Sequence, residues 1–318
     1  MIDVTCNYCG QNDAQLVNQG PDLLLNRPGN FRLMRCRHCG LIYQNPRLTL
    51  DELSVHYPEE YEPYRQDIEA QGSAFRRFDA QYGLNRRCRQ LIKHHPQPAQ
   101  LLDVGCATGL FLNAMRQYSW QVTGVELSPY ASEYARRTFG LDVITGTLET
   151  AYFPDDTFDV VTLWDVLEHV IDPKMTLVEI SRILKPGGLL ALSLPNPLAF
   201  EAYLFGSSWV GWDRPRHLHL FTPTVLKNYL QDTGFHLESI ESLGGRLGLT
   251  LLSAEMLCHS LNIADKKSQP ILRLIYNIPF RLITWPMYRI GELMNRATVM
   301  TVFARASKND SLTYINVL

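Results

Sequence analysis

Leu101-Leu102-Asp103-Val104-Gly105-Cys106-Ala107-Thr108-Gly109 decides the fold of this chain. A short apolar run carrying one acid leads straight into a D-x-G-x-x-x-G turn, and the amphipathic segment Leu110–Tyr118 follows it. A second strand, Gln121–Val125, closes on Glu126. Strand, glycine turn, helix and strand make a βαβ unit, with an acid at the second strand's tip placed for a ribose. Gly105 and Gly109 let the backbone turn sharply and approach a ligand with no Cβ in the way. Ligands of such sheets sit beyond the carboxyl ends of the strands.

The same alternation continues downstream. A strand over Leu141–Thr145 runs into Gly146-Thr147-Leu148-Glu149. Phe158–Trp164 reads as a buried strand, followed by the polar-tipped turn Asp165-Val166-Leu167-Glu168-His169-Val170. Leu184-Lys185-Pro186-Gly187-Gly188 ends a helix and opens the strand Leu189–Leu194. Strands Phe235–Ser242 and Val299–Ala306 complete the set. The glycine spacing discriminates between ligands. A dinucleotide fingerprint is G-x-G-x-x-G, whose middle glycine makes room for a pyrophosphate. Ala107 fills that place here, which argues against a nicotinamide-dependent oxidoreductase.

The ordered set of pieces over residues 75–245 resembles the class I S-adenosylmethionine (SAM) methyltransferases. The resemblance implies an α/β fold: a Rossmann-like, seven-stranded, mostly parallel sheet with helices on both faces and the last strand antiparallel. It implies SAM as cofactor. Asp103, Gly105, Ala107 and Gly109 would shape the methionine pocket, Glu126 and Leu127 would meet the ribose side, and Thr147 and Leu148 would border adenine. Trp164 and Asp165 would close the methionine end. Glu126 has a second reading, as a carboxylate at a helix start, because Ser128-Pro129 opens a helix beside it.

Ahead of this domain lie two C-x-x-C-G knuckles, Cys6/Cys9 and Cys36/Cys39. Four thiolates from two such turns suit tetrahedral zinc, and four protein ligands leave no open position for chemistry. A structural zinc ribbon over residues 1–48 is expected, joined by a tyrosine- and proline-rich linker over 49–74 to a methyltransferase domain over 75–318. A pair of redox dithiols is the rival, though no βαβ pattern surrounds either knuckle. The stretch from Leu41 to Tyr61 resembles the linker that follows the zinc-binding module of certain sugar and small-molecule methyltransferases. It would either cover the active site or pack the ribbon onto the main domain. Cys88, Cys106 and Cys258 read as small buried hydrophobes.

The acceptor is expected over residues 196–221, a long insertion holding Trp209, Trp212 and His217-Leu218-His219 before a helix capped by Thr222-Pro223. A hydroxyl acceptor needs a base, and His217 and His219, then His169, are the candidates. Asp165-x-x-Glu168-His169 also resembles a segment of ubiquinone-pathway O-methyltransferases, which use a divalent cation. Between the last two strands, residues 246–297 form a helical insertion. Leu247–Leu261 reads as a helix, and the apolar stretch Ile271–Met294 carries Arg273, Arg281 and Arg289, with Pro279 and Pro286 interrupting it. Basic residues among interfacial aromatics suit a peripheral membrane contact over 270–295, while a lid or homodimer face is the plainer reading.

The chain has 318 residues, 46% of them hydrophobic, and a formal net charge of −2. That is enough for one large domain with additions and gives no global field toward nucleic acid. Arg27, Arg32, Arg35, Arg37 and Arg47 make the ribbon basic, so a nucleic-acid-modifying methyltransferase stays as an alternative, as does a SAM-binding partner without activity. An odd number of cysteines, seven, and no basic n-region at the start point to a reducing, cytoplasmic setting, peripheral to a membrane if the insertion makes that contact. The expected reaction is methyl transfer to a small-molecule acceptor: a sugar, a polyketide-like or a lipid-linked compound. O-methylation is placed ahead of C-methylation.

Overall fold

The strands of the main sheet are nearly unbroken apolar runs because both faces are covered. The computed structural model describes residues 1–58, 74–242, 246–261, 263, 270, 272–275 and 277–307. Residues 59–73 of the expected linker, parts of the expected insertion and the last residues of the expected domain lie outside that set. The sheet's seven strands, in chain order, are β4 (Gln100–Val104), β5 (Gln121–Glu126), β6 (Asp142–Thr145), β7 (Phe158–Trp164), β8 (Leu184–Pro195), β10 (Phe235–Glu241) and β11 (Val299–Ala306). Their spatial order is β10-β11-β8-β7-β4-β5-β6. Only β11 runs antiparallel to its neighbours, as the resemblance implies.

Alternate side chains of each strand feed opposite cores. Leu101, Val160 and Leu189 pack with α2 (Ala74–His94), α3 (Leu110–Arg116) and α4 (Pro129–Phe139). Leu102, Val161 and Leu190 pack with α5 (Pro173–Ile183) and α7 (Pro223–Asp232). Local chemistry sets the helix starts. Ser128, Asp172 and Thr222 each accept an amide hydrogen from the third residue on, and each is followed by a proline in the first turn.

A second sheet joins the N-terminal module to this domain. Strands β1 (Ala14–Gly20), β2 (Phe31–Cys36) and β3 (Ile42–Gln44) form an antiparallel ribbon. The fourth strand, β9 (His219–Leu220), comes from the acceptor segment, pairing Tyr43 with His219 and Ile42 with Leu220. The module and the acceptor segment therefore share one sheet. On the ribbon's other flank, Tyr8 stacks on Tyr229 of α7 at 4.4 Å, and Asn7 bridges Tyr229 and Asp172.

Two expectations need correcting. Residues 196–221 are not an open loop. They fold into α6 (Phe200–Phe205), two short 3-10 turns and β9, because Trp209 and Trp212 bury against Leu33, Ile42 and Leu251 of α8 (Arg246–Ser260). Nor does Pro286 interrupt the second half of the insertion, since it lies within α9 (Ile278–Leu293). Pro279 does mark a break: the chain bends at Asn277 and α9 begins just after it, with Pro279 in its first turn, where a missing amide costs nothing.

Candidate active site

The turn after β4 behaves as its glycines require. Gly105 has φ +72°, and a Cβ there would lie 2.5 Å from Val166 Cγ2. Gly109 has φ +79°, and a Cβ there would meet Leu141 and Ala135. Gly105 thus lets the turn lie against the loop after β7, while Gly109 lets it lie against α4 and the start of β6. Ala107 and Asp165 also take positive φ, at +48° and +59°. Positive φ at a non-glycine residue costs energy and is commonest where the backbone is held for function.

Glu126 is pinned by the turn itself. Its Oε2 accepts from the Ala107 amide at 2.8 Å and its Oε1 from the Ser128 amide at 2.7 Å. The helix-start reading is met at the Ser128 amide, and each oxygen keeps lone pairs for further donors. Burial raises its pKa despite those amides. Asp103 is buried beneath, accepting from Thr162 Oγ1 at 2.6 Å. Burial pushes its pKa up to about 7, with Thr162 and Arg87 opposing. A carboxyl this short of counter-charge suits a cationic ligand, and SAM carries a sulfonium and an ammonium.

The other expected cofactor residues scatter in character. Thr147 is exposed and engages Thr150, Leu148 is buried in the core, and Leu127 is 64% exposed beside Glu126. Trp164 is buried with its indole N–H unpartnered, under the guanidinium of Arg87 at 5.2 Å. Asp165 spends its carboxylate on Arg87 and Ser193. A depression lined by His95, Gln100, Asp159 and Lys185 opens at the strands' amino ends, the wrong end for this chemistry.

Next to the turn, the loop after β7 brings together Glu168, His169 and His217, with ligand atoms within 4.8 Å of one another. Both Glu168 oxygens are buried without a hydrogen-bond partner, and burial holds its pKa well above the carboxylate range. His217 Nδ1 donates to the Gly211 carbonyl at 2.9 Å, which leaves Nε2 as the basic nitrogen. That Nε2 lies 4.0 Å from both Glu168 and Asp213. His169 Nδ1 lies 2.9 Å from Tyr57 Oη and 3.0 Å from the Arg216 carbonyl. Burial depresses both imidazoles, His169 to about 3, so both are neutral near pH 7.

His219 stands apart from this cluster. It is buried in β9, facing the Val170 backbone, Arg47 and Asp172. The suggested cation set of Asp165, Glu168 and His169 is likewise redrawn, because Asp165 is held by Arg87 and His217 takes its place.

Sequence reasoning missed the frame that holds this cluster. Arg216 is fully buried and forks onto Asp22, with both contacts at 2.8 Å, and onto Asp213. His56 Nδ1 meets the same Asp22 at 2.9 Å. Asp22 and Arg216 are 194 positions apart, and only the charge-dense run Asp213-Arg214-Pro215-Arg216 hinted at such a network.

The four cysteines converge as expected. Cys6 and Cys39 sulfurs are 3.4 Å apart, Cys9 and Cys36 3.5 Å, and all four lie within 4.8 Å. A zinc tetrahedron with ~2.3 Å bonds needs sulfurs about 3.8 Å apart. Backbone amides of Tyr8, Cys9, His38, Cys39 and Leu41 point at the sulfurs. Burial raises Cys6 to about 11, so a cation is what would hold its thiolate. The residues fit zinc.

The seven-stranded sheet order and the glycine turn after β4 define a Rossmann-like methyltransferase fold. The methyltransferase-domain family matches residues 75–240, and the chain belongs to it; it is a SAM-dependent methyltransferase. It is similar to the ubiquinone biosynthesis O-methyltransferase of Xanthomonas axonopodis pv. citri (strain 306), 32% identical over 160 residues, covering 46% of this chain and 67% of that one. The likeness to the same enzyme of Xanthomonas oryzae pv. oryzae (strain PXO99A) is also 32% identical, covering 46% and 66%. The chain thus spans about two thirds of the length of these relatives. Among solved structures it is similar to the [4+2]-cyclase SpnF (TM-score 0.51, 20% identical, 82% of this chain and 97% of that one). A putative sarcosine dimethylglycine methyltransferase from Galdieria sulphuraria also shares the fold (TM-score 0.50, 15% identical, 77% and 91%).

Proposed function

We propose that this enzyme moves the methyl group of SAM onto a hydroxyl oxygen of a small-molecule acceptor seated over His217, Glu168 and His169. The observation that carries the reading is the buried, unpartnered Glu168 carboxylate facing the free Nε2 of His217, beside the glycine turn. When bound, SAM supplies an electrophilic methyl on a sulfonium leaving group, so the protein chiefly aligns and deprotonates the acceptor. Asp103, Gly105, Ala107, Gly109, Glu126 and Leu127 would hold the cofactor, with Thr147 and Leu148 on its adenine side and Trp164 and Asp165 near the methionine end. His217 takes the acceptor proton at Nε2, and Asp213, 4.0 Å away, stabilises the imidazolium that results. His169, held by Tyr57 and the Arg216 carbonyl, fixes the acceptor's second polar group. The similarity to O-methyltransferases supports oxygen over carbon as the reacting atom.

A divalent cation held by Glu168, His169 and His217 is a second reading, favoured by their mutual distances. Labelled methyl transfer from SAM to a panel of phenolic and sugar acceptors tests the proposal. His217→Ala should lose turnover while SAM affinity stays within about threefold, less than 1 kcal/mol. A variant with full turnover removes His217 as the base. Turnover that rises only with added magnesium, at constant zinc content, selects the cation reading. The cysteine cluster is proposed as a structural zinc site that anchors β3, and through it β9.

A further inference from the structure

α9 shows solvent the wrong face for a helix on a water-soluble surface. Leu282, Ile283, Trp285, Ile290, Leu293 and Met294 are 50–79% exposed. At 3.6 residues per turn they fall on one half of the helix circumference, together with exposed Pro286 and Arg289. The opposite side is the packed one: Gly291 is buried close to Phe200, and Tyr288 bonds Thr250 of α8. An apolar stripe this long on the outer side of a surface helix marks a contact surface.

We propose that this face of α9 docks the enzyme onto an anionic phospholipid bilayer surface. Charge selects that occupant. Residues 246–297 hold seven Lys and Arg against three Asp and Glu, whereas the whole chain is at −2. An anionic surface attracts this segment and repels the remainder, which orients the molecule. A second copy fits worse, because a two-fold contact would set the same basic segment against itself. Trp285 has the amphipathic ring favoured at headgroup depth, and Arg289, paired with Glu292 on its own helix, can reach headgroups from within the stripe. Among the described residues no helix is long and apolar enough to cross a membrane, so the contact is a lying one. The end of α9 lies at the carboxyl end of β8, where Asn196 donates to the Asn295 carbonyl. The stripe therefore neighbours the side of the sheet on which an acceptor would arrive.

The test is co-sedimentation of the full, zinc-loaded chain with vesicles of phosphatidylcholine alone and of phosphatidylcholine mixed with phosphatidylglycerol, with size-exclusion chromatography in parallel. The expected result is binding to the anionic vesicles that falls with added salt. It should weaken by roughly tenfold or more in Leu282→Glu/Leu293→Glu, since two exposed apolar side chains lose their burial. SAM titration of the same variant confirms that it is folded and keeps this outcome separate from the methyl-transfer reading. Sedimentation equal to the variant's, or a dimer that the two substitutions dissociate, overturns the proposal.

Discussion

The two halves of the proposed active site are built in different ways. The cofactor half is local and made largely of backbone: Gly105 to Gly109, the amides of Ala107 and Ser128, and Glu126 all come from one βαβ unit. The acceptor half is assembled from far-apart segments: Asp22 from the ribbon, Tyr57 beyond it, Glu168 and His169 after β7, and Arg216 and His217 from the acceptor segment. A local half tolerates damage elsewhere in the chain. A half built by long-range ion pairs depends on every piece it joins.

The largest effect on SAM affinity is expected in the local half. Gly105→Val forces a branched side chain into Val166 from a positive φ, and should weaken SAM binding by more than roughly 100-fold, about 2.7 kcal/mol. Calorimetric titration checks it, and unchanged affinity would break the placement of the cofactor. Next comes Asp22→Ala, which strips the buried Arg216 of one carboxylate partner. Breaking such a pair costs about 3–5 kcal/mol, and turnover should fall further than SAM affinity. Equilibrium denaturation beside the titration reads both. Cys36→Ser should act in the same direction more mildly, loosening β3 and hence β9, with zinc content and hydrogen exchange at Tyr43 and Leu220 as readouts.

A pH effect follows from the buried imidazoles. His169 and His219 are lowered from 6.5 to about 3 and about 4, so the unfolded chain binds more protons than the folded one in that range. Stability from these groups is complete above pH 6.5 and drains away as pH falls toward 4. The raised Asp103 works the opposite way, its penalty growing as pH rises through about 7. Glu126 and Glu168, also raised by burial, act with Asp103, so the histidine share is read by difference: on acidification the melting temperature of His219→Gln should fall less, or rise more, than that of the native chain. The smallest effect is expected for Arg87→Ala. It removes a half-exposed pair with Asp165 and a cation–π contact worth about 0.5–1 kcal/mol.

The same contrast explains what could be read from the chain alone. Strand limits such as Val299–Ala306, the helix caps at Ser128 and Thr222, and the four-cysteine cluster all follow from short-range patterns. β9 has only two residues, too few for any periodicity, and its partner Tyr43 lies far upstream. His217 and His219 would share one side only in an extended stretch, and of the two only His219 is extended, while His217 turns back onto Gly211 and Asp213. No local pattern shows that an arginine will be fully buried until its distant aspartate is in place. In α9 the apolar character is legible in the sequence, but a buried face and an unpartnered exposed one look alike there.

The most direct test titrates SAM into three zinc-loaded forms: the native chain, Glu126→Ala and His217→Ala. The two-half account predicts one-to-one binding to the native chain, loss with Glu126→Ala, and near-native affinity with His217→Ala alongside lost turnover. Binding untouched by Glu126→Ala, or lost equally in both variants, would contradict it.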